Sequence, residues 1–237
     1  NYLIDGTSFN ANSLISNLLD ANDKKENNLF ENNVSMELNF EEVYFDEINF
    51  VKDLNGKLNI INNKVEEADI LAFFDNSQNL KLTIRKNENG EKITTLFSSN
   101  AKPLVDRYKF IKGFKDGKDG YLDFYSSNKD GISNSKLVID NFKVKEVPAL
   151  AKLLALSSLQ GIADLLTGEG LRFTDLEMDF TNENKVMRIQ ELYAIGPTIS
   201  VLLDGYIEKN KLISLRGTLG PATTINRSIA SIPLIGD

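Results

Sequence analysis

No histidine and no cysteine occur among the 237 residues. Without cysteine there are no disulfides and no thiolate nucleophiles. Without histidine as well, zinc sites of ordinary composition and the usual general base near neutral pH drop out. Positive charge is also in deficit. The net charge of -7 argues against a nucleic-acid partner, whose phosphates need a basic face, and against docking on an anionic membrane surface. An initiator methionine is missing, and no charged segment precedes an apolar one, so the chain reads as a piece of something longer. What is present, 41% hydrophobic and 26% charged residues, is ordinary for a globular protein able to bury one large core or two small ones.

Long apolar runs are scarce, and the longest is Val147 to Gly170, VPALAKLLALSSLQGIADLLTGEG. Pro148 suits the first turn of a helix, and Gly168 and Gly170 supply left-handed conformations that end one. At ~100° per residue its leucines and Ile162 cover most of the circumference, so protein or lipid must cover it on more than one side. It is the one candidate for a membrane span by length, at about 20 residues. Lys152, Gln160 and Asp164 interrupt it and disfavour that reading.

Elsewhere the period is two. Val34, Met36, Leu38 and Phe40 alternate with polar residues, as a half-buried strand requires. Further strands are expected over 44–51, 56–61, 65–74, 80–85 and 92–97, with turns at Asp53–Gly56, Asn62-Asn63, Asp75–Ser77 and Asn87–Gly90. Tyr2–Ile4 reads as a strand end, and Ser8 or Asn10 as the cap of a short helix through Leu14, Ile15, Leu18 and Leu19. A second short helix is expected over 101–110 and a loop over 113–120, then strands 121–126 and 136–144. After the apolar helix come strands 171–181, 185–194, 198–208 and 211–219, turning at Asn182–Asn184, Gly196-Pro197 and Lys209-Asn210. Short connections between successive strands mean hairpins.

The fold class expected is therefore mainly β with some α: a twisted antiparallel meander curled into an elongated groove, with short amphipathic or apolar helices packing on it or capping it. Residues 1–100 form an N-terminal meander with a leading short helix, and 101–237 a C-terminal region continuous with the same sheet. Leu176, Met178 and Phe180 share one face of their strand, opposite Asp175, Glu177 and Asp179. Ile199, Val201 and Leu203 likewise share a face. Such oily faces either pack as a core or line a groove for an apolar ligand, and periodicity does not separate the two.

Catalytic and metal-binding constellations are lacking. Glu41-Glu42, Glu66-Glu67 and the Asp175, Glu177, Asp179 row fit solvated strand faces better than a glycosidase pair, which needs a set separation and unequal environments. Asp116–Gly120 lacks the alternating acids of a calcium loop. The glycines from Gly161 to Gly170 follow a helix and precede a strand, the wrong order for a phosphate cradle. No serine sits in a nucleophile elbow. No enzyme activity, cofactor or metal is expected.

Four stretches, in order, resemble the C-terminal region of AsmA-like proteins, bacterial envelope proteins anchored in the inner membrane. They are AKPLVDRYKFIKGFKDGKDGYLDF (101–124), VIDNFKVKEVPALAKLLALSSLQGIADLLTGEGLRF (138–173), LEMDFTNENKVMRIQELYAIGPTISVLLDGYIE (176–208) and LISLRGTLGPATTINRSIASIPLIG (212–236). The LTGEG exit and the IPLIG close carry the likeness most specifically. It covers roughly the last 135 residues, whereas the N-terminal meander fits only by pattern.

The resemblance implies a β-groove with an apolar lining that carries phospholipid, or another acyl-chain lipid, between inner and outer membranes. It further implies a location on the periplasmic side of the inner membrane, attachment through an anchor outside this chain, and envelope proteins as partners. The residues expected to line the groove are Leu153, Leu156, Leu159, Ile162, Phe173, Leu176, Met178, Phe180, Ile199, Val201 and Leu203. The alternative is a structural or assembly factor of the outer membrane whose core is fully packed and binds no lipid.

Overall fold

The computed structural model describes residues 2–18, 33–75, 77–108, 111, 113–115, 120–145, 168–208 and 211–222. Among these, thirteen strands share one open sheet and two short helices accompany it. In chain order they are β1 (Tyr2–Asn10), α1 (Asn12–Leu18), β2 (Val34–Tyr44), β3 (Phe50–Ile61), β4 (Lys64–Phe73), β5 (Asn79–Lys86), β6 (Lys92–Ser98) and α2 (Lys102–Tyr108). There follow β7 (Phe114–Lys115), β8 (Leu122–Lys129), β9 (Ile132–Val144), β10 (Leu171–Glu183), β11 (Val186–Ile195), β12 (Ile199–Glu208) and β13 (Leu212–Pro221). Spatial order follows chain order, except that the two-residue β7 pairs with β9 beside β8. The sheet is a β-meander with minor helices, mainly β as its alternation requires.

One expectation needs correcting: the meander is not wholly antiparallel. β1 runs parallel to β2, with Tyr2 opposite Met36 and Asn10 opposite Tyr44. A parallel neighbour needs a long crossover rather than a hairpin, and the chain between Asn10 and Val34 supplies it. Asn10 ends β1 and also caps α1, its Oδ1 accepting the Asn12 N–H at 3.0 Å.

The first predicted turn is also misplaced. Residues 53–56 lie inside β3, and the break falls at Phe45–Asn49 instead. There the Asp46 carboxylate accepts the N–H groups of Ile48 and Asn49, which stabilises a turn without glycine. Asp53, at φ 49°, forms a bulge within β3. Gly56 is there for space: a Cβ on it would lie 2.6 Å from the Asp69 carbonyl oxygen of β4.

Strands β8 and β9 likewise extend beyond expectation, through the polar run 127–135, to a two-residue turn at Asp130-Gly131. Both turn residues have positive φ, as do Asn62-Asn63 and Asn184-Lys185, the geometry that matches strand twist. The last of these lies one residue beyond its predicted place.

Both helices stand at the same end of the sheet, α1 after β1 and α2 between β6 and β8. The connection from β9 to β10 leaves and returns at that end too. The opposite end carries tight turns among the described residues. The expected apolar helix over 147–170 lies outside the described residues up to 167, as do the loop 20–28 and the tail 223–237. At its close Gly170 takes φ 92° and leads into β10.

Among the described residues the buried side chains form three clusters. The largest contains Leu104, Val105, Ile139, Phe142, Phe173 and Ile199 and draws its buried members from residues 101 to 201. The other two belong to the first hundred residues: one around Phe40, Val51, Leu54 and Ala72 near the helices, the other around Met36, Ile60, Val65 and Ile84 near the tight turns. The sheet itself runs unbroken across residue 100, because β6 pairs with β8 from Lys92–Asn128 to Ser98–Leu122. Ile60 and Ile139 are each fully buried, in different clusters. Ile60→Ala and Ile139→Ala should each lower the unfolding free energy by about 2–5 kcal/mol in urea titrations. The double variant should match their sum within ~0.5 kcal/mol, and a larger deviation would mean that the clusters act as one core.

Candidate functional site

Between the clusters of the N-terminal half lies a cavity of ≈ 410 Å³. Successive strands from β1 to β6 line it, together with both helices, so the sheet must be concave over this region. The lining follows strand alternation: Leu80, Leu82 and Ile84 from β5, Met36, Leu38 and Phe40 from β2, Leu54 and Leu58 from β3. Ile4 and Phe9 of β1 also line it, yet each keeps 37% of its surface exposed, so the trough is open along β1. Space exists because β4 presents Ala68 where a larger side chain would fill it, while seven-residue α1 covers only one end.

The helix end of the trough is the polar one. Among the described lining residues, Arg107 is the single charged side chain and Tyr108 the other polar one. The Arg107 guanidinium donates to Asn12 Oδ1 (2.9 Å) and to Ser16 Oγ (3.1 Å). Asn12 and Ser16 lie four apart on α1 and therefore on one face of it, so Arg107 ties α2 to α1 across the end of the trough. The Tyr108 ring lies 5.5 Å from the guanidinium carbon. The Arg107 charge also reaches Asp46. Burial pushes that carboxyl up, but hydrogen bonds from Asn49 and Ile48, with the Arg107 charge, outweigh burial and hold it below the usual carboxylate range.

The described residues among those named from sequence lie elsewhere. Phe173, Leu176, Phe180, Ile199 and Val201 are buried in the large cluster of the C-terminal half, and Met178 and Leu203 pack against it. The structure brings these seven together, but none of them lines the trough. Leu153, Leu156, Leu159 and Ile162 lie outside the described residues. Sequence reasoning placed Met36, Leu38 and Phe40 on one apolar strand face without assigning them to a site. Arg107 carried no signal, since an arginine in the last turn of a short helix looks the same whether it faces solvent or a cavity.

The acidic faces behave as outer surfaces. Glu177 accepts from Lys136 at 3.0 Å, Glu37 pairs with Lys57 and Glu66 with Lys86, each from a neighbouring strand. The hydrogen bond from Lys86 is the main reason that Glu66 sits below its ordinary pKa. No group of three or more carboxylates among the described residues is arranged to hold a metal ion.

Asp140 and Asp175 face each other in register across β9 and β10. Burial first, then the Asp175 charge, raises the Asp140 pKa above its usual 3.8. A carboxyl with a raised pKa binds its proton more tightly in the folded state. It therefore costs nothing below the usual range and destabilises the fold as pH rises through the raised value. Asp140→Asn should raise the melting temperature at pH 7, by no more than about 1 kcal/mol of stability because solvent screens the pair. Circular dichroism melts should show the gain vanish near pH 3. Compared with protein-family models, with curated proteins and with solved structures, this chain finds no match.

Proposed function

We propose that the chain is a lipid-carrying module whose N-terminal trough holds an acyl chain during transfer across the bacterial envelope. One observation carries the reading: a cavity of ≈ 410 Å³ walled by apolar side chains from six strands and open along β1. A methylene takes up about as much room as a water molecule, ~30 Å³, so the trough accommodates roughly fourteen of them, one acyl chain. At ~0.8 kcal/mol per methylene, moving that chain from water into the trough releases about 11 kcal/mol before the cost of holding it still. Transfer in this sense needs no acid, base or metal.

The likeness of residues 101–237 to AsmA-like proteins supports the cellular setting. In that setting the cargo is phospholipid, the module works on the periplasmic side of the inner membrane, and an anchor outside this chain attaches it. Other envelope proteins are its partners.

The packed C-terminal cluster favours a second reading, that of a structural or assembly factor without a lipid. The two readings part in native mass spectrometry after purification from cells. Conduit function predicts bound phospholipid, lost in Leu82→Glu and reduced in the milder Leu82→Gln. Leu82 is half-buried against the trough, so both variants should keep the wild-type circular dichroism spectrum. Wild-type protein free of lipid would overturn the conduit in favour of the structural factor.

A further inference from the structure

The unfilled part of the trough follows one register row across the sheet. Ile4, Leu38, Gly56, Ile70, Leu82 and Leu96 are successive partners from β1 to β6, so they share one level and one face. The level towards the tight turns is buried at Met36, Leu58, Ala68 and Ile84, and the level towards the helices at Phe40, Leu54 and Ala72. Between them Leu38, Ile70, Leu82 and Leu96 are half-buried, and Gly56 adds no side chain. The next partner along the row is Phe124 of β8, opposite Leu96. We propose that Phe124 sets the length of acyl chain the trough admits: the chain lies across the strands along this row and ends against the Phe124 ring. This rests on the acyl-chain reading of the trough and adds how the chain lies and what selects it.

Three features argue for it. First, the described lining reaches Leu96 and includes no strand beyond β6, although the apolar row itself continues through Phe124 and Leu137 to Met178. What ends the cavity therefore stands at β8. Second, Phe124 is the first aromatic side chain of that row, and its ring is held in place. Its centroid lies 6.5 Å from that of Phe180 on β10, across the intervening β9, and it packs against the large cluster. A ring supported on its far side acts as a wall. Third, the other end is open. Ile4 keeps 37% of its surface exposed, and β1 is the edge strand among the described residues. With one end open and one closed, a chain longer than the row leaves its surplus methylenes outside the trough at β1. Methylenes inside the trough add to affinity, and those left in water do not.

The test is displacement of a fluorescent fatty acid from the full chain by capric, lauric, myristic, palmitic and stearic acids, which share one head group. For wild type, affinity should rise about fourfold per methylene and level off near myristic acid, where the trough is full. Phe124→Ala should move the plateau to palmitic or stearic acid, because the missing ring frees the space of roughly three methylenes. It should leave the affinity for capric acid unchanged. Phe124→Leu should move the plateau less, and it decides by the same criterion if Phe124→Ala loses the wild-type circular dichroism spectrum. Leu96→Phe, which narrows the row one strand earlier, should bring the plateau back to lauric acid or below. Affinity that climbs through stearic acid in wild type would overturn the assignment of Phe124 while leaving the trough. So would a plateau that stays in place in the folded Phe124 variants or in Leu96→Phe. Weakening by one factor at every chain length in Phe124→Ala would show that the ring only supports the fold, and overturns its role as the end wall. If wild type binds neither the fluorescent probe nor any of the five acids, the acyl-chain reading falls, and the end wall falls with it.

Discussion

An open sheet of this width satisfies its backbone hydrogen bonds internally, but it cannot cover its own apolar face. Every inner strand has two paired neighbours, so the ladder is complete from β1 to β13. The oily face must be covered by a second layer, by curvature of the sheet upon itself, or by a ligand. Among the described residues the second layer consists of two helices of seven residues each, both at one end. Where neither these helices nor neighbouring strands of the described residues fill the apolar face, the trough remains.

Two lines of irregularity shape that curvature. In β2 and β3 the inward positions change parity at the same level: Phe40 and Leu54 point inward on one side of it, Val43 and Val51 on the other. Asp53, in the left-handed region, accomplishes the change. A second line crosses β9 and β10, where Ile139 and Leu176 give way to Phe142 and Phe173, with Asn141 at φ 47°. The carbonyls of Asp140 and Asn141 pass so close to Gly120 that a Cβ there would come within 2.0 Å of the first. At each line a residue in the left-handed region, Asp53 or Asn141, accompanies the change of parity that keeps the apolar side chains on the buried face.

Alternation was enough to find most strands, because one solvated face forces period two. It failed where that pressure disappears. Along 127–135 the single apolar side chain is the exposed Ile132, and Ser126 and Ser135 meet through their hydroxyls at 2.9 Å, so the run shows no alternation. The Asp53–Gly56 run looks like a turn because the same residue types serve bulges and close approaches of strands. Parallel pairing of β1 was invisible, since only the crossover length distinguishes it from a hairpin partner. The site was legible in part. The apolar faces of β2 and β5 could be read, but a face that packs and a face that lines a cavity have the same period.

What distinguishes the two halves is side-chain size on a common framework. In the C-terminal half Phe114, Phe142 and Phe173 stack across β7, β9 and β10 with ring centroids 5.3 Å apart at each step. Phe124 meets Phe180 at 6.5 Å. Those rings pack into one buried cluster together with Leu104 and Val105 of α2. In the N-terminal half the corresponding inner positions of β4 are Ala68 and Ala72, both buried, flanked by leucines and isoleucines that cannot reach across. The same sheet thus gives a packed core where aromatic rows meet across β7, β9 and β10, and an open trough where β4 and β5 present alanine and aliphatic side chains. The trough is a consequence of which residues occupy the inward positions of β4 and β5, which makes it adjustable by single substitutions without altering strand order.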